Sequence, residues 1–267
     1  MLEKNLKLII AFLFVIGGIE PIQAQTIDRF LPEERPVVNT KKQIDRQIFF
    51  SAPPPPDNIG EPGRRSDAGS RGSCLDREGS LTSATKSLTA LVPVYKSDRN
   101  DLVLGVTTSA RPTFWFYVPY DSFFTGELIV RDTEGNLVYK TKIEPLPKPG
   151  FVSISLPKTE PGLEIGKLYQ WFFKIYCNSE DPSTLSFVSG WIERKSLNSS
   201  AINKLNKATM KDKLAFYADR GIWYEALMTA FKLNRLDRND SNWSNLLKTV
   251  GLENIVAEPV SEFISQY

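Results

Sequence analysis

Hydrophobic and polar positions follow two different periods along this chain. Between Leu88 and Arg194 they alternate in short runs, and from Ala201 they recur every three to four residues. The first pattern predicts strands at Leu88–Val94, Thr113–Val118, Glu127–Asp132, Leu137–Ile143, Phe151–Leu156, Leu168–Cys177 and Phe187–Arg194. Valine, isoleucine and aromatic residues fill these runs, and the turn formers Asp132 to Asn136, Pro147 to Gly150 and Pro161-Gly162 separate them. About seven strands with no helical pattern between them fit an antiparallel β-sandwich of immunoglobulin or fibronectin type. A small barrel is the alternative. Leu163 to Tyr169, just ahead of a strand, resembles a tyrosine corner, in which the hydroxyl bonds back to the backbone.

The second pattern predicts a small α-helical C-terminal region. Thr209 with Asp212 three residues on marks a capped helix through Leu214, Ala215, Tyr217 and Ala218, ended by Gly221. A second helix is predicted from Trp223 to Asn234. A third is capped at Asp240 or Ser241 and stopped by Gly251, and a short one follows before Pro259.

Side-chain alternation raises a packing problem. In the strand from Leu168, one face carries Tyr169, Trp171, Phe173, Ile175 and Cys177, and the other carries Gln170, Phe172, Lys174 and Tyr176. Thr113–Val118 presents Phe114, Phe116 and Val118 on one side and Trp115 and Tyr117 on the other. Trp191 likewise opposes Val188, Gly190 and Ile192. A sandwich buries one face of each sheet, so the second apolar face needs a cover. Either Trp115, Tyr117, Phe172, Tyr176 and Trp191 form an aromatic platform for sugar rings or a peptide, or the chain's own helices dock there. The second option is preferred, because the helical end is amphipathic and directly follows the last strand.

The N-terminal stretch has a different character. Lys4 and Lys7, an apolar run from Leu8 to Ile19 and the small Ala24 predict a secretory signal over residues 1–24. A membrane anchor is the competing reading, but the run is shorter than the roughly 20 residues needed to span a bilayer and holds Gly17 and Gly18. Residues 25–73 contain Pro53 to Pro56 and several glycines, and are read as a Pro/Gly-rich disordered linker; a docking ligand for an aromatic groove is the alternative. The sandwich is assigned to residues 74–196, the helices to 197–260 and a tail to 261–267.

Composition removes several kinds of chemistry. The 267 residues include 33 Lys+Arg against 31 Asp+Glu, no histidine and two cysteines. Balanced charge leaves no footprint for nucleic acid. Without histidine there is no Ser-His-Asp or Cys-His nucleophile pair and no His-metal site. Phosphate loops and nucleophile elbows are also missing. Glu127, Glu193 and Glu225 are candidate acids only for a carboxylate-pair hydrolase. In an oxidising compartment Cys74 and Cys177 most simply pair as a disulfide; the alternative is that Cys177 is a small buried hydrophobe.

Two resemblances follow from the motifs. Leu214 to Tyr217, Gly221 and Tyr224 to Leu227 are similar to one tetratricopeptide unit, although the usual proline is absent and there is no array. Across roughly residues 50 to 260 the chain resembles the mainly cyanobacterial domain-of-unknown-function 928 family. The motifs that carry this are Pro53 to Pro56, Pro62 to Arg65, Arg71 to Cys74, Leu88 to Pro93, Pro112 to Tyr120, Val152 to Pro157, Gly190 to Arg194, Gly221 to Leu227 and Leu246 to Leu252. The resemblance implies no catalytic residues and an association with the envelope. The functional expectation is an exported, non-catalytic module, periplasmic or extracellular, that binds a protein partner in the cell envelope. Carbohydrate or surface-polymer binding through the aromatic face is the alternative. No cofactor or metal is expected, nor a nucleic-acid partner, and membrane contact is expected only through the export signal.

Overall fold

The computed structural model describes residues 48–265 apart from 57–58, 68–73, 75–85, 97–100, 121–123, 147 and 178–183. The signal of residues 1–24 and the first half of the expected linker lie outside the described residues.

Among the described residues ten strands build two sheets. They are β1 (Thr89–Ala90), β2 (Val94–Tyr95), β3 (Leu102–Thr107), β4 (Thr113–Val118), β5 (Thr125–Asp132), β6 (Leu137–Ile143), β7 (Gly150–Ser155), β8 (Leu168–Tyr176), β9 (Leu185–Arg194) and β10 (Val260–Ser265). The smaller sheet runs β1-β4-β7-β10 and the larger β2-β3-β9-β8-β5-β6. The expected sandwich followed by helices is the observed architecture. Two pairings, β3 with β9 and β7 with β10, are parallel, where an all-antiparallel arrangement was expected.

Period-two alternation sets the register. Along β8, Tyr169, Trp171, Phe173 and Ile175 are buried, while Gln170, Phe172, Lys174 and Tyr176 are half-buried. The buried set meets the inward face of β4: Phe116 stacks on Phe173 with ring centroids 4.1 Å apart, and Trp171 lies edge-on to Phe114 at 6.3 Å and to Phe116 at 5.8 Å. The tyrosine corner is present, with the Glu164 N–H donating to the Tyr169 hydroxyl at 2.9 Å.

Three expectations are corrected. The single strand read over Leu88–Val94 divides into β1 and β2, one in each sheet, with Pro93 supplying no N–H for a continuous ladder. The tail read over 261–267 is strand β10 through Ser265, parallel to β7. Residues 48–56 and 59–67 of the expected linker are seated on the body: Ser51 N–H donates to Ala218 O at 3.0 Å, Asp67 N–H to Leu88 O at 3.2 Å, and Arg64 and Ser189 exchange two backbone bonds of 2.8 Å. Proline and glycine here make a strap whose backbone groups are satisfied by distant elements.

The helices are α1 (Ser199–Lys207), α2 (Met210–Asp219), α3 (Trp223–Leu236) and α4 (Asn242–Thr249), followed by a short 3-10 turn at Glu253–Ile255. Thr209 caps α2 as its sequence predicts, accepting from the Asp212 N–H at 3.2 Å. Gly221 turns the chain into α3 at φ +65°, and a Cβ there would fall 2.3 Å from Pro53 Cδ, so the strap needs this glycine twice over.

Helix α3 does two jobs. Its first turn closes one edge of the sandwich: Tyr224 lies edge-on to Phe114 at 5.5 Å, and the Trp223 indole donates to Leu91 O at 2.7 Å. Farther along, it covers the outer face of the smaller sheet together with α4. Trp115 sits 4.6 Å from Phe231 and 5.4 Å from Trp243, and Trp243 is 5.4 Å from Phe151.

Candidate docking site

The five aromatic residues expected on one platform are not brought together. Trp115 and Tyr117 lie on the outer face of the smaller sheet, and Phe172, Tyr176 and Trp191 on that of the larger. Trp115 is 1% exposed beneath α3 and α4. Tyr117 is buried beside Phe151 at 6.0 Å, and burial, then the neighbouring Glu258, push its hydroxyl pKa up to about 12. Trp191 is only 6% exposed, and its cover is the strap, not a helix. Its indole donates to Glu61 O at 2.9 Å, and Arg64 stacks over the neighbouring Phe187 ring at 4.6 Å. Phe172 and Tyr176 remain half-buried.

The candidate acids are each tied into structure. Tyr176 donates to Glu127 Oε1 at 2.9 Å, and Lys140 lies 2.8 Å from Oε2. Burial raises the Glu127 pKa, but the bonds from Lys140 and Tyr176 outweigh it and leave the carboxyl below its usual range. Glu225, in the first turn of α3, clamps the loop after β3. Its Oε1 accepts from the Thr107 hydroxyl at 2.8 Å, the Thr108 N–H at 2.9 Å, the Thr108 hydroxyl at 3.0 Å and the Ser109 N–H at 2.9 Å. Glu193 faces Lys195 at 3.2 Å. The three carboxylates hold separate side-chain partners: Tyr176 and Lys140 for Glu127, Thr107 and Thr108 for Glu225, and Lys195 for Glu193. Among the described residues no cluster of three acidic or cysteine side chains is placed to hold a metal ion.

One buried polar group does collect partners. Asp67, at the end of the strap, is 7% exposed and accepts a bond from Ser186 Oγ. The Tyr120 hydroxyl lies 2.9 Å from that serine oxygen and 3.3 Å from Asp67 Oδ2. Burial, partly offset by the Tyr120 bond and the Arg64 charge, raises the Asp67 pKa. Seven residues on, Cys74 is joined to Cys177 by a disulfide across 103 positions, which fixes the strap's end to the end of β8.

An open apolar surface lies on the helices. A groove of about 450 Å³ between α2 and α3 is lined by Met210, Met228, Phe231, Lys232, Arg235 and Leu236. Leu236 is 77% exposed. The sequence reading passed over this groove, although one signal was present: the chain has three methionines, and the two beyond Met1 both line it. Methionine's flexible, polarizable side chain is over-used where a surface adapts to different partners. Among the described residues no helix is long and apolar enough to cross a membrane.

Comparison with known proteins adds a family and no activity. No curated protein matches the chain. The model of the family described as Domain of Unknown Function (DUF928) matches residues 66–260, from the strap's anchoring end to the start of β10, which is well over half of the 267 residues. Strands β1 to β9 and helices α1 to α4 fall inside that match, and the chain belongs to the DUF928 family.

Proposed function

We propose that this protein is an exported, non-catalytic module that docks a protein partner in the cell envelope through its helical end. The observation that carries this reading is the α2–α3 groove, an apolar surface left open on the helices with Leu236 exposed beside its two methionines. Export is supported by the basic and apolar start of the chain and by the Cys74–Cys177 bond, since disulfides persist in oxidising compartments. The separation of the five aromatic residues onto two sheets, three of them buried, removes the flat row that sugar stacking would use.

The test is site-specific photo-cross-linking in intact cells. A photoreactive residue at Leu236 should give one discrete envelope adduct, lost when Met228 is also changed to Glu. The same residue at Leu137, an exposed position on β6, should not give it. Identical adducts from both positions, or none from Leu236, would reject the reading.

A further inference from the structure

We infer that the α2–α3 groove receives an acidic amphipathic helix of the partner protein. One or two bulky apolar side chains seat against Met210, Met228 and Phe231, and carboxylates on either side meet Lys232 and Arg235. The inference rests on the docking function proposed above and names the chemistry of what docks.

Charge complementarity decides the occupant. The six lining residues include two cations and no acid. Lys232 and Arg235 are both exposed and lie three positions apart on α3, so their charged ends share a rim. Among the described residues neither forms an ion pair; Arg235 has only the Phe231 ring, 5.9 Å from its guanidinium carbon. The other cations around α2 and α3 are not all so free: Lys211 faces Asp240 at 3.9 Å. A basic segment would place like charges against this rim, and a neutral one would leave both cations without a partner.

The shape favours a helix over an extended strand. Met228, Phe231, Lys232 and Arg235 stand at i, i+3, i+4 and i+7 and therefore share one stripe of α3. Met210 contributes from the first turn of α2, and Leu236 continues the apolar strip beyond the stripe. The valley between two packed helices accepts the side-chain ridge of a third helix. An added strand needs a free sheet edge, and no strand contributes to this groove.

The methionines make the test clean, because their methyl signals report on the groove itself. The full chain is labelled with ¹³C at methionine methyls and titrated with two designed helical peptides. One carries leucines at i, i+4 and i+7 flanked by glutamates, and its twin has lysine at every glutamate. The acidic peptide should shift both the Met210 and Met228 signals saturably and bind about tenfold more tightly than its twin, with the gap narrowing as salt rises. Lys232→Glu with Arg235→Glu, two exposed changes, should reverse the preference. Equal binding of the twins, or a preference that survives the double reversal, overturns the acidic assignment and leaves the docking function standing. No shift with either peptide at millimolar concentration overturns the inference as a whole. Cross-linking from Leu236 then judges the docking function separately.

Discussion

Trp115 offers the sharpest test of how the two halves of this protein cooperate. It leaves the smaller sheet on the side away from the sandwich core and ends between Phe231 and Trp243, at 4.6 and 5.4 Å. A buried aromatic of this kind removes about 150–250 Å² from water, which at about 25 cal/mol/Å² is worth about 4–6 kcal/mol before relaxation. Large-to-alanine changes at such sites cost about 3–5 kcal/mol, so Trp115→Ala should remove about 4 kcal/mol. That is a large share of the 5–15 kcal/mol available to a typical domain. Urea unfolding followed by circular dichroism gives the total. Hydrogen exchange shows where the loss falls, and protection should drop in α3 and α4 as well as in β4. A cycle with Phe231→Ala should give a coupling of about 0.5–1.5 kcal/mol. A loss below about 1 kcal/mol with unchanged exchange in α3 and α4 would mean that the helices do not rest on this sheet.

Other perturbations address the strap and the inner core. Replacing Cys74 and Cys177 by serine opens a loop closed across 103 positions, and chain entropy puts the cost at about 4–5 kcal/mol, read as a lower urea midpoint; an unchanged midpoint contradicts it. Gly190→Ala sets a methyl 2.5 Å from Trp171 Cζ2 and 2.8 Å from Val103 Cγ1, and should cost about 1–3 kcal/mol by overpacking. A neutral effect there would show slack between β9 and β8. Asp67 has a raised pKa through burial, so its contribution favours the fold most below the ordinary Asp range and declines as pH rises through the folded value. Asp67→Asn removes that decline, so its midpoint should gain on the parent's from pH 4 upward. A gap that is constant or shrinks over this range refutes the assignment.

Where a segment makes its own case, local pattern found it. Thr113–Val118 and Leu137–Ile143 match β4 and β6 residue for residue, and Thr209 with Asp212 fixed the start of α2, because alternation and capping are local physics. Strand β3 escaped notice because Gly105 interrupts its apolar run. The glycine is there for a remote reason: a Cβ would fall 2.6 Å from the Tyr224 ring of α3. The strap was read as a tether because its proline and glycine show no period. Its order comes from partners more than a hundred positions away, such as Ser189 for Arg64 and Val250 for Arg65, whose guanidinium donates to that carbonyl at 2.6 Å.

The need to cover both outer sheet faces was legible, but the division of labour was not. The helices cover Trp115, which the amphipathic pattern anticipated. Trp191 is covered by Gly60 and Glu61, and nothing in their sequence announces it. The groove was missed for a related reason. A sequence displays which helical positions are apolar, but the packing of α4 and β4 against α3 decides which of them stay open.

All five tryptophans of the chain, at 115, 171, 191, 223 and 243, are buried, two of them on outer sheet faces and two on the helices α3 and α4 that cover the smaller sheet. Hydroxyl-radical labelling of the folded protein, read by peptide mass spectrometry, therefore measures the covering of both faces in one experiment. All five should be strongly protected relative to the urea-unfolded chain. Labelling of Trp115 or Trp191 in the folded protein at the unfolded rate would show a bare sheet and contradict the account.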